Sequence, residues 1–272
     1  MLSGRTRDGS LRLKSREPAQ GHRANVARMR APDPAFADPR LADLYDVFDD
    51  DRTDLDTYEA IVREVGAATV LDIGCGTGSL AVRLAAQGVR VVGVDPAWAS
   101  LEVARRKPGA DRIEWVHGDA TTLNGRALDA DLAVMTGNVA QVFVDDADWA
   151  LTLYAVRDCL RAGGWLVFET RRPEVRDWER WNIAPTTVAL PGGKTGLISR
   201  TVTTVELPLV TFESSTVLYG EPVHSASTLR FRGRDEIESD LIKHGFRVLE
   251  VRDAPDRPGK ELVFMARRER NI

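Results

Sequence analysis

The stretch TVLDIGCGTGSLAVRLAAQG, residues 69–88, constrains this chain more than any other. A short apolar run ends at Ile73, three glycines alternate with Cys75 and Thr77, and a helical pattern follows at once. Glycine adopts left-handed backbone without steric cost, so such a run turns a buried strand into a helix and lets a ligand come close to the chain. Asp95 ends a second apolar run, RVVGVD, 21 positions after Gly74. A carboxylate at that spacing is placed to accept both hydroxyls of a ribose. The expected ligand therefore contains a ribose.

The same alternation continues downstream. β-Branched runs at 70–73, 91–94, 113–117, 132–135 and 165–169 are separated mostly by helical stretches. One helix precedes them, with Leu55, Tyr58, Val62 and Val65 on one face and Gly66 as its stop. Another carries Trp149, Leu153, Val156 and Leu160 and is expected to end at Gly163-Gly164. Strands alternating with helices predict an α/β fold, a doubly wound and mostly parallel sheet covered on both faces. From about Ile183 to Phe231 the period changes to two, with turn signals at Pro191-Gly192-Gly193 and Gly220-Glu221-Pro222, which predicts an antiparallel β-rich insertion. The α/β pattern then resumes with a helix over Ile237, Leu241 and His244 and two last strands near 246–251 and 261–266. The organisation read from this is a basic, disordered tail over 1–35, an α/β domain over 36–181 and 232–272, and a β-rich insert over 182–231.

Charge and composition exclude several function classes. Residues 1–34 hold eight basic and three acidic side chains, a net +5, so the net −4 of the whole leaves −9 on the remainder. An acidic body is a poor partner for a long nucleic acid, whose binding rests on phosphate neutralisation. A tail without aromatic residues reads as a disordered extension, and Met29 offers an alternative start. No apolar run approaches the roughly 20 residues that span a bilayer, and no signal segment opens the chain, so a cytoplasmic protein is expected. Two cysteines, Cys75 and Cys159, without a Cys/His cluster suggest neither a disulfide framework nor a metal site.

Nicotinamide and adenosylmethionine cofactors both contain the ribose, and the glycine spacing separates them. A dinucleotide fingerprint needs a third glycine at position 79, which is Ser79 here. Asp72, one spacer, then Gly74, Gly76 and Gly78 instead resembles the first motif of class I S-adenosylmethionine-dependent methyltransferases. VHGDAT, LAVMTGN and LRAGGWLVFET are similar, in order, to that family's motifs at its third, fourth and fifth strands, with Ala162 where proline is common. The resemblance covers roughly 41–171 and 234–267. It implies a Rossmann-like seven-stranded sheet with an antiparallel last strand, and S-adenosyl-L-methionine as cofactor. It further implies that Asp72 lies near the cofactor's ammonium and Asp95 takes the ribose, with Cys75 and Pro96 beside them. Asp119 would take the adenine amino group, with the Ala120 backbone at a ring nitrogen, and Thr136 would lie in the loop under the methyl. Tyr45 would fold over the cofactor, as N-terminal tyrosines of small-molecule members do, with Arg52 beside it.

The acceptor is less legible. Thr136-Gly137-Asn138-Val139 lacks the Asn/Asp-Pro-Pro-aromatic sequence of enzymes that methylate base amino groups or glutamine amides. Asn138, Gln141, Glu169 and Arg171 follow the fourth and fifth strands and are the expected substrate-side residues, since ligands of open α/β sheets lie at the carboxyl ends of strands. His117 and His224 are weaker candidates for a base. The insert's basic residues Lys194, Arg200 and Arg230 are offset by Glu206, Glu213 and Glu221, which favours a small-molecule acceptor or self-association over RNA. An RNA or protein methyltransferase and a nicotinamide-dependent oxidoreductase are the alternatives, and a monomer or homodimer is expected.

Overall fold

The structure is a computed structural model that describes residues 31–48 and 51–269 of the 272-residue chain. The tail expected over 1–35 lies outside the described residues up to position 30. Short helices α1 (Pro34–Ala37) and α2 (Pro39–Phe48) come first, each begun by a proline whose fixed φ suits a first turn. The α/β body follows as α3 (Asp54–Val65), β1 (Thr69–Ile73), α4 (Ser79–Ala86), β2 (Arg90–Asp95), α5 (Trp98–Arg106), β3 (Glu114–His117), β4 (Ala130–Met135), α6 (Asp146–Cys159) and β5 (Leu160–Arg171). Strands β6 (Ile183–Leu190), β7 (Lys194–Glu206), β8 (Leu209–Leu218) and β9 (Glu221–Arg230) form the insertion. The body closes with α7 (Arg234–Lys243), β10 (Phe246–Asp253) and β11 (Glu261–Arg268).

The main sheet has seven strands in the order β10-β11-β5-β4-β1-β2-β3. β1 pairs in parallel with β2 and β4, β2 with β3, and β4 with β5, whereas β11 runs antiparallel to both β5 and β10. The expected doubly wound sheet and its antiparallel last strand are both present. One sheet face packs on α6 and α7 through Trp149, Leu153, Val156, Phe168, Phe246 and Phe264, with the Phe168 and Phe264 rings stacked at 5.3 Å. The other buries Leu55, Tyr58, Ile61, Val62, Leu80 and Leu84 of α3 and α4. Among the described residues, no helix is long and apolar enough to cross a membrane.

Two boundaries differ from the sequence reading. Helix α6 stops at Cys159, and Leu160 already has extended backbone, so β5 starts three residues before the glycine pair expected to end the helix. Gly163, at φ +77°, bends this strand, and a Cβ on Gly164 would meet the carbonyl oxygens of Arg161 and Ala130 at 3.0 and 3.1 Å. The glycines serve the sheet and not the helix end. The boundary expected at residue 35 falls inside α1.

The insertion is an antiparallel four-stranded meander, β6-β7-β8-β9. Two small apolar clusters fasten it to the body. At one end Leu190 and Leu218 pack on Leu44 of α2, and at the other Val210 and Phe231 pack on Trp178.

Candidate functional site

The glycine turn is built as its composition requires. Gly74, Gly76 and Gly78 have φ of +69°, +54° and +77°, all in the left-handed region. The amides of Gly74 and Cys75 donate to Val94 O, that of Gly78 to Cys75 O, and that of Gly76 to Asp95 Oδ2 at 2.8 Å. The amides of Gly74, Cys75 and Gly76 therefore hold the turn against β2, that of Gly78 closes the turn on itself, and none of the four is presented to a ligand. Gly76 borders open space, whereas a Cβ at Gly78 would lie 2.5 Å from the Trp115 ring and 2.9 Å from Ala104 Cβ. Gly78→Ala is expected to lower stability by about 2–4 kcal/mol, from the sum of a strained φ and overpacking, and a urea midpoint unchanged from wild type would contradict this.

Above the turn lies a cavity of about 220 Å³ over the carboxyl ends of β1, β2 and β3. Its walls include Asp72, Gly74, Cys75, Gly76, Asp95, Pro96, Asp119, Ala120 and Thr136, and its roof includes Phe36, Tyr45 and Arg52. Every residue expected at the cofactor lines this cavity except Gly78, which sits behind it. Ala31, Pro32 and Asp33, expected in the disordered tail, also line it.

Of the carboxylates that line the cavity, the three at the strand ends, Asp72, Asp95 and Asp119, are held in different ways. Asp72 is 1% exposed and neither of its oxygens has a hydrogen-bond partner. Burial pushes its carboxyl up to about 7, the nearby Asp95 adds to this, and Arg52 opposes it. An unpaired buried carboxylate is a costly group that a cation in the cavity would satisfy. Asp95 is also pushed up by burial, while the amides of Ala97 and Gly76, at 2.7 and 2.8 Å, stabilise its charge and fix its orientation. Asp119 accepts from the backbone N–H of Thr121 at 2.9 Å and caps the short helical turn that follows β3.

The roof is fastened by residues that sequence reading did not single out. Asp46 of α2 accepts from Thr77 Oγ1 at 2.7 Å and Ser79 Oγ at 3.2 Å, and pairs with Lys107 at 2.7 Å. Burial raises the Asp46 carboxyl, but Lys107 and the two hydroxyls outweigh it and hold the group below the usual carboxylate range. Ser79, the departure from a dinucleotide fingerprint, thus ties the N-terminal helix to the glycine turn. Only the hydroxyl at position 79 hinted at this, because Asp46 lies 31 residues before Thr77 in sequence.

The four substrate-side candidates do not line the cavity. Asn138, Gln141, Glu169 and Arg171 instead form a polar cluster behind it, where the ends of β4 and β5 meet the start of β11. Glu169 Oε1 accepts from the Gly137 and Asn138 amides at 2.7 and 3.2 Å, and its Oε2 accepts from the Tyr58 hydroxyl at 2.7 Å. Burial raises the Glu169 carboxyl, and the Tyr58 hydrogen bond works against that. Gly137 and Asn138 are both left-handed, at φ +68° and +62°, so Glu169 clasps a turn that would otherwise relax. Asn138 Nδ2 donates to Glu261 Oε1 at 3.0 Å, and Arg171 donates to Gln141 Oε1 at 2.9 Å while lying 3.7 Å from Glu261. Tyr58 and Glu261 were invisible as site residues, one within a helix stripe and the other at a strand start. His117 Nε2 lies 3.0 Å from Pro96 O and steadies the turn after β2, while His224 is exposed on the outer face of β9. Cys75 and Cys159 are buried and free, and burial pushes the Cys75 thiol well above its usual range and that of Cys159 up to about 11. Neither is a reactive thiolate. Among the described residues, no group of His, Cys, Asp and Glu could hold a metal ion.

Sheet order, glycine turn and a carboxylate on or just after each of three successive strands define the Rossmann-like methyltransferase class of fold. An S-adenosylmethionine-dependent methyltransferase from Clostridium acetobutylicum superposes with a TM-score of 0.70 at 17% identity, covering 85% of this chain and 98% of that one. The CcbJ methyltransferase from Streptomyces caelestis gives 0.68 at 21% identity, covering 88% and 100%. Residues 70–164 match the family model of the methyltransferase domain. A putative methyltransferase from Geobacillus sp. (strain WCH70) is 33% identical over 106 residues, 38% of this chain and 42% of the relative. The cypemycin N-terminal methyltransferase of Streptomyces sp is 28% identical over 141 residues, 52% and 56% of the two chains. This chain spans between 26% and 56% of the length of the first curated relatives that it matches.

Proposed function

We propose that this chain is an S-adenosyl-L-methionine-dependent methyltransferase acting on a small molecule. The observation that carries the reading is Asp72, a buried carboxylate without a partner on the wall of a cavity that also holds Asp95 and Asp119. A nucleoside with an amino-acid tail has the matching groups: an ammonium for Asp72, ribose hydroxyls for Asp95 and an adenine amino group for Asp119. Pro96 and Ala120 flank the base, and Tyr45 and Arg52 close the roof. The cofactor supplies an activated methyl, so the protein's task is to hold the acceptor in line and exclude water, which contributes several kcal/mol without a dedicated base. The body over 36–181 and 232–272 holds the cofactor, joined at the roof by residues 31–33, and the insert over 182–231 is the substrate cap. Asn138, Gln141, Glu169 and Arg171 shape the acceptor side from behind the cavity, through the turn after β4. The chain acts as a monomer or homodimer in the cytoplasm.

Asp95→Ala is expected to weaken S-adenosylmethionine binding at least tenfold, about 1.4 kcal/mol for lost charge-assisted hydrogen bonds. An unchanged dissociation constant by calorimetry would show the ribose to be elsewhere. Incubating the protein with metabolite extract and methyl-labelled cofactor tests the activity itself. Label in a small-molecule product supports it, and label only in RNA or protein would move the acceptor to another class.

A further inference from the structure

The substrate cap has one face covered by the body, and that face is not uniformly apolar. Register places Arg200, Ser214 and Ser225 side by side across β7, β8 and β9, and Val202, Phe212 and Ser227 in the adjacent row. Ser225 and Ser227 are 7% and 6% exposed, whereas their neighbours Pro222, His224 and Ala226 are exposed, so alternation puts the first row on the covered face. This polar row lies between the two apolar clusters that fasten the cap. Burying hydroxyls and a guanidinium there costs stability that an all-apolar face would not.

Arg200 is the unusual member. Its Nε donates to Ser214 Oγ at 3.3 Å and its guanidinium lies 5.1 Å from the Phe212 ring, but no carboxylate among the described residues pairs with it. Arg230 pairs with Glu236 and Asp146, and Arg267 and Arg268 donate to backbone carbonyls. Burial alone lowers the Arg200 guanidinium from its usual range, with no acidic group acting to restore it. The row is tied to the roof of the cavity, although Arg200, Ser214 and Ser225 do not themselves line it. Ser225 Oγ accepts from the Ala35 amide at 3.3 Å, and the next residue, Phe36, is part of the roof. On the other side Phe212 meets Trp181 edge-to-face at 5.4 Å, so the cation is flanked by aromatic surface.

We propose that Arg200, with the hydroxyls of Ser214 and Ser225, binds an oxyanion of the methyl acceptor, so that the acceptor is a small molecule bearing a carboxylate or phosphate next to a ring or other apolar group. A planar guanidinium donates paired hydrogen bonds to either oxyanion, and desolvation in the cap strengthens that pairing. This inference rests on the methyltransferase reading for the word acceptor, but the anion site itself does not depend on it.

The test is a titration of the full chain, with and without S-adenosylhomocysteine, using benzoate, phenyl phosphate and the neutral benzamide as probes followed by NMR. Benzoate or phenyl phosphate is expected to bind wild type, the stronger of the two naming the oxyanion, and benzamide at least tenfold more weakly. Arg200→Gln should weaken the preferred anion at least tenfold, and Arg200→Lys, which keeps the charge and guards against misfolding of the first variant, should retain part of it. Equal binding of benzamide, no binding of either anion, or anion affinity unaltered in Arg200→Gln would each overturn the proposal. If the Arg200-dependent anion site is found while S-adenosylhomocysteine does not bind, the cofactor reading fails and the anion site stands.

Discussion

Asp72→Asn is expected to stabilise the ligand-free protein at pH 8 while removing its affinity for the cofactor. In the folded chain the Asp72 carboxyl is held at about 7 against an ordinary 3.8, so the fold favours its protonated form. The sign follows from linkage: stability is fully present below about pH 4 and is lost progressively as pH rises towards and through 7. The raised value corresponds to roughly 4 kcal/mol at pH 8, part of which a buried amide without partners returns, leaving a gain of about 2–3 kcal/mol. For a chain of this size that is several degrees in Tm. The gain should vanish at pH 4, where wild type is itself neutral at this position. The same substitution removes the countercharge of a buried ammonium, a loss of about 2–5 kcal/mol in binding. A variant that is less stable than wild type at pH 8, or that binds S-adenosylmethionine unchanged, would contradict this account of Asp72.

Glu169→Ala is expected to be among the most damaging single changes in the body. It strands three donors at once: the Gly137 and Asn138 amides and the Tyr58 hydroxyl. Unsatisfied buried donors cost about 1–3 kcal/mol each, and partial relaxation of the turn brings the expected total to about 3–5 kcal/mol. Glu169→Gln keeps an acceptor for the two amides, and its NH₂ can donate to Tyr58, so it should cost only about 1 kcal/mol. Urea midpoints of the two variants test this. Equal losses would show that charge, and not hydrogen-bond geometry, is what Glu169 contributes. Because the turn it clasps follows β4 beside the cavity, Glu169→Ala should also weaken cofactor binding in whatever fraction remains folded.

The α/β body could be read because its signals are local. Each strand is a short apolar run, each helix a 3.6-residue stripe, and the glycine turn declares its left-handed backbone in its residue types. The three carboxylates on the cavity wall were legible for the same reason, since Asp72, Asp95 and Asp119 lie on or directly after three successive strands. What escaped depends on contacts remote in sequence. The Asp46–Lys107 clamp joins α2 to the end of α5, and Glu169 meets Tyr58 across 111 positions. Helix α1 is too short to show a stripe, and the prolines that open α1 and α2 look from sequence like breakers. The glycine pair at 163–164 was misplaced because a left-handed glycine serves a bent strand as well as a helix stop. Arg200 looked like one of three balanced charges in the insert, and only strand register showed which face it takes.

The central claim is that the cavity takes a nucleoside whose amino-acid tail brings an ammonium to Asp72. Calorimetric titration with S-adenosylhomocysteine, which carries the same ammonium, and with NAD, which carries none, tests it most directly when run at pH 6 and pH 8. One-to-one binding of S-adenosylhomocysteine that tightens from pH 6 to pH 8, as Asp72 gives up its proton, with no binding of NAD, is the predicted result. Binding of NAD without S-adenosylhomocysteine, or S-adenosylhomocysteine affinity that is flat across this range, would contradict it.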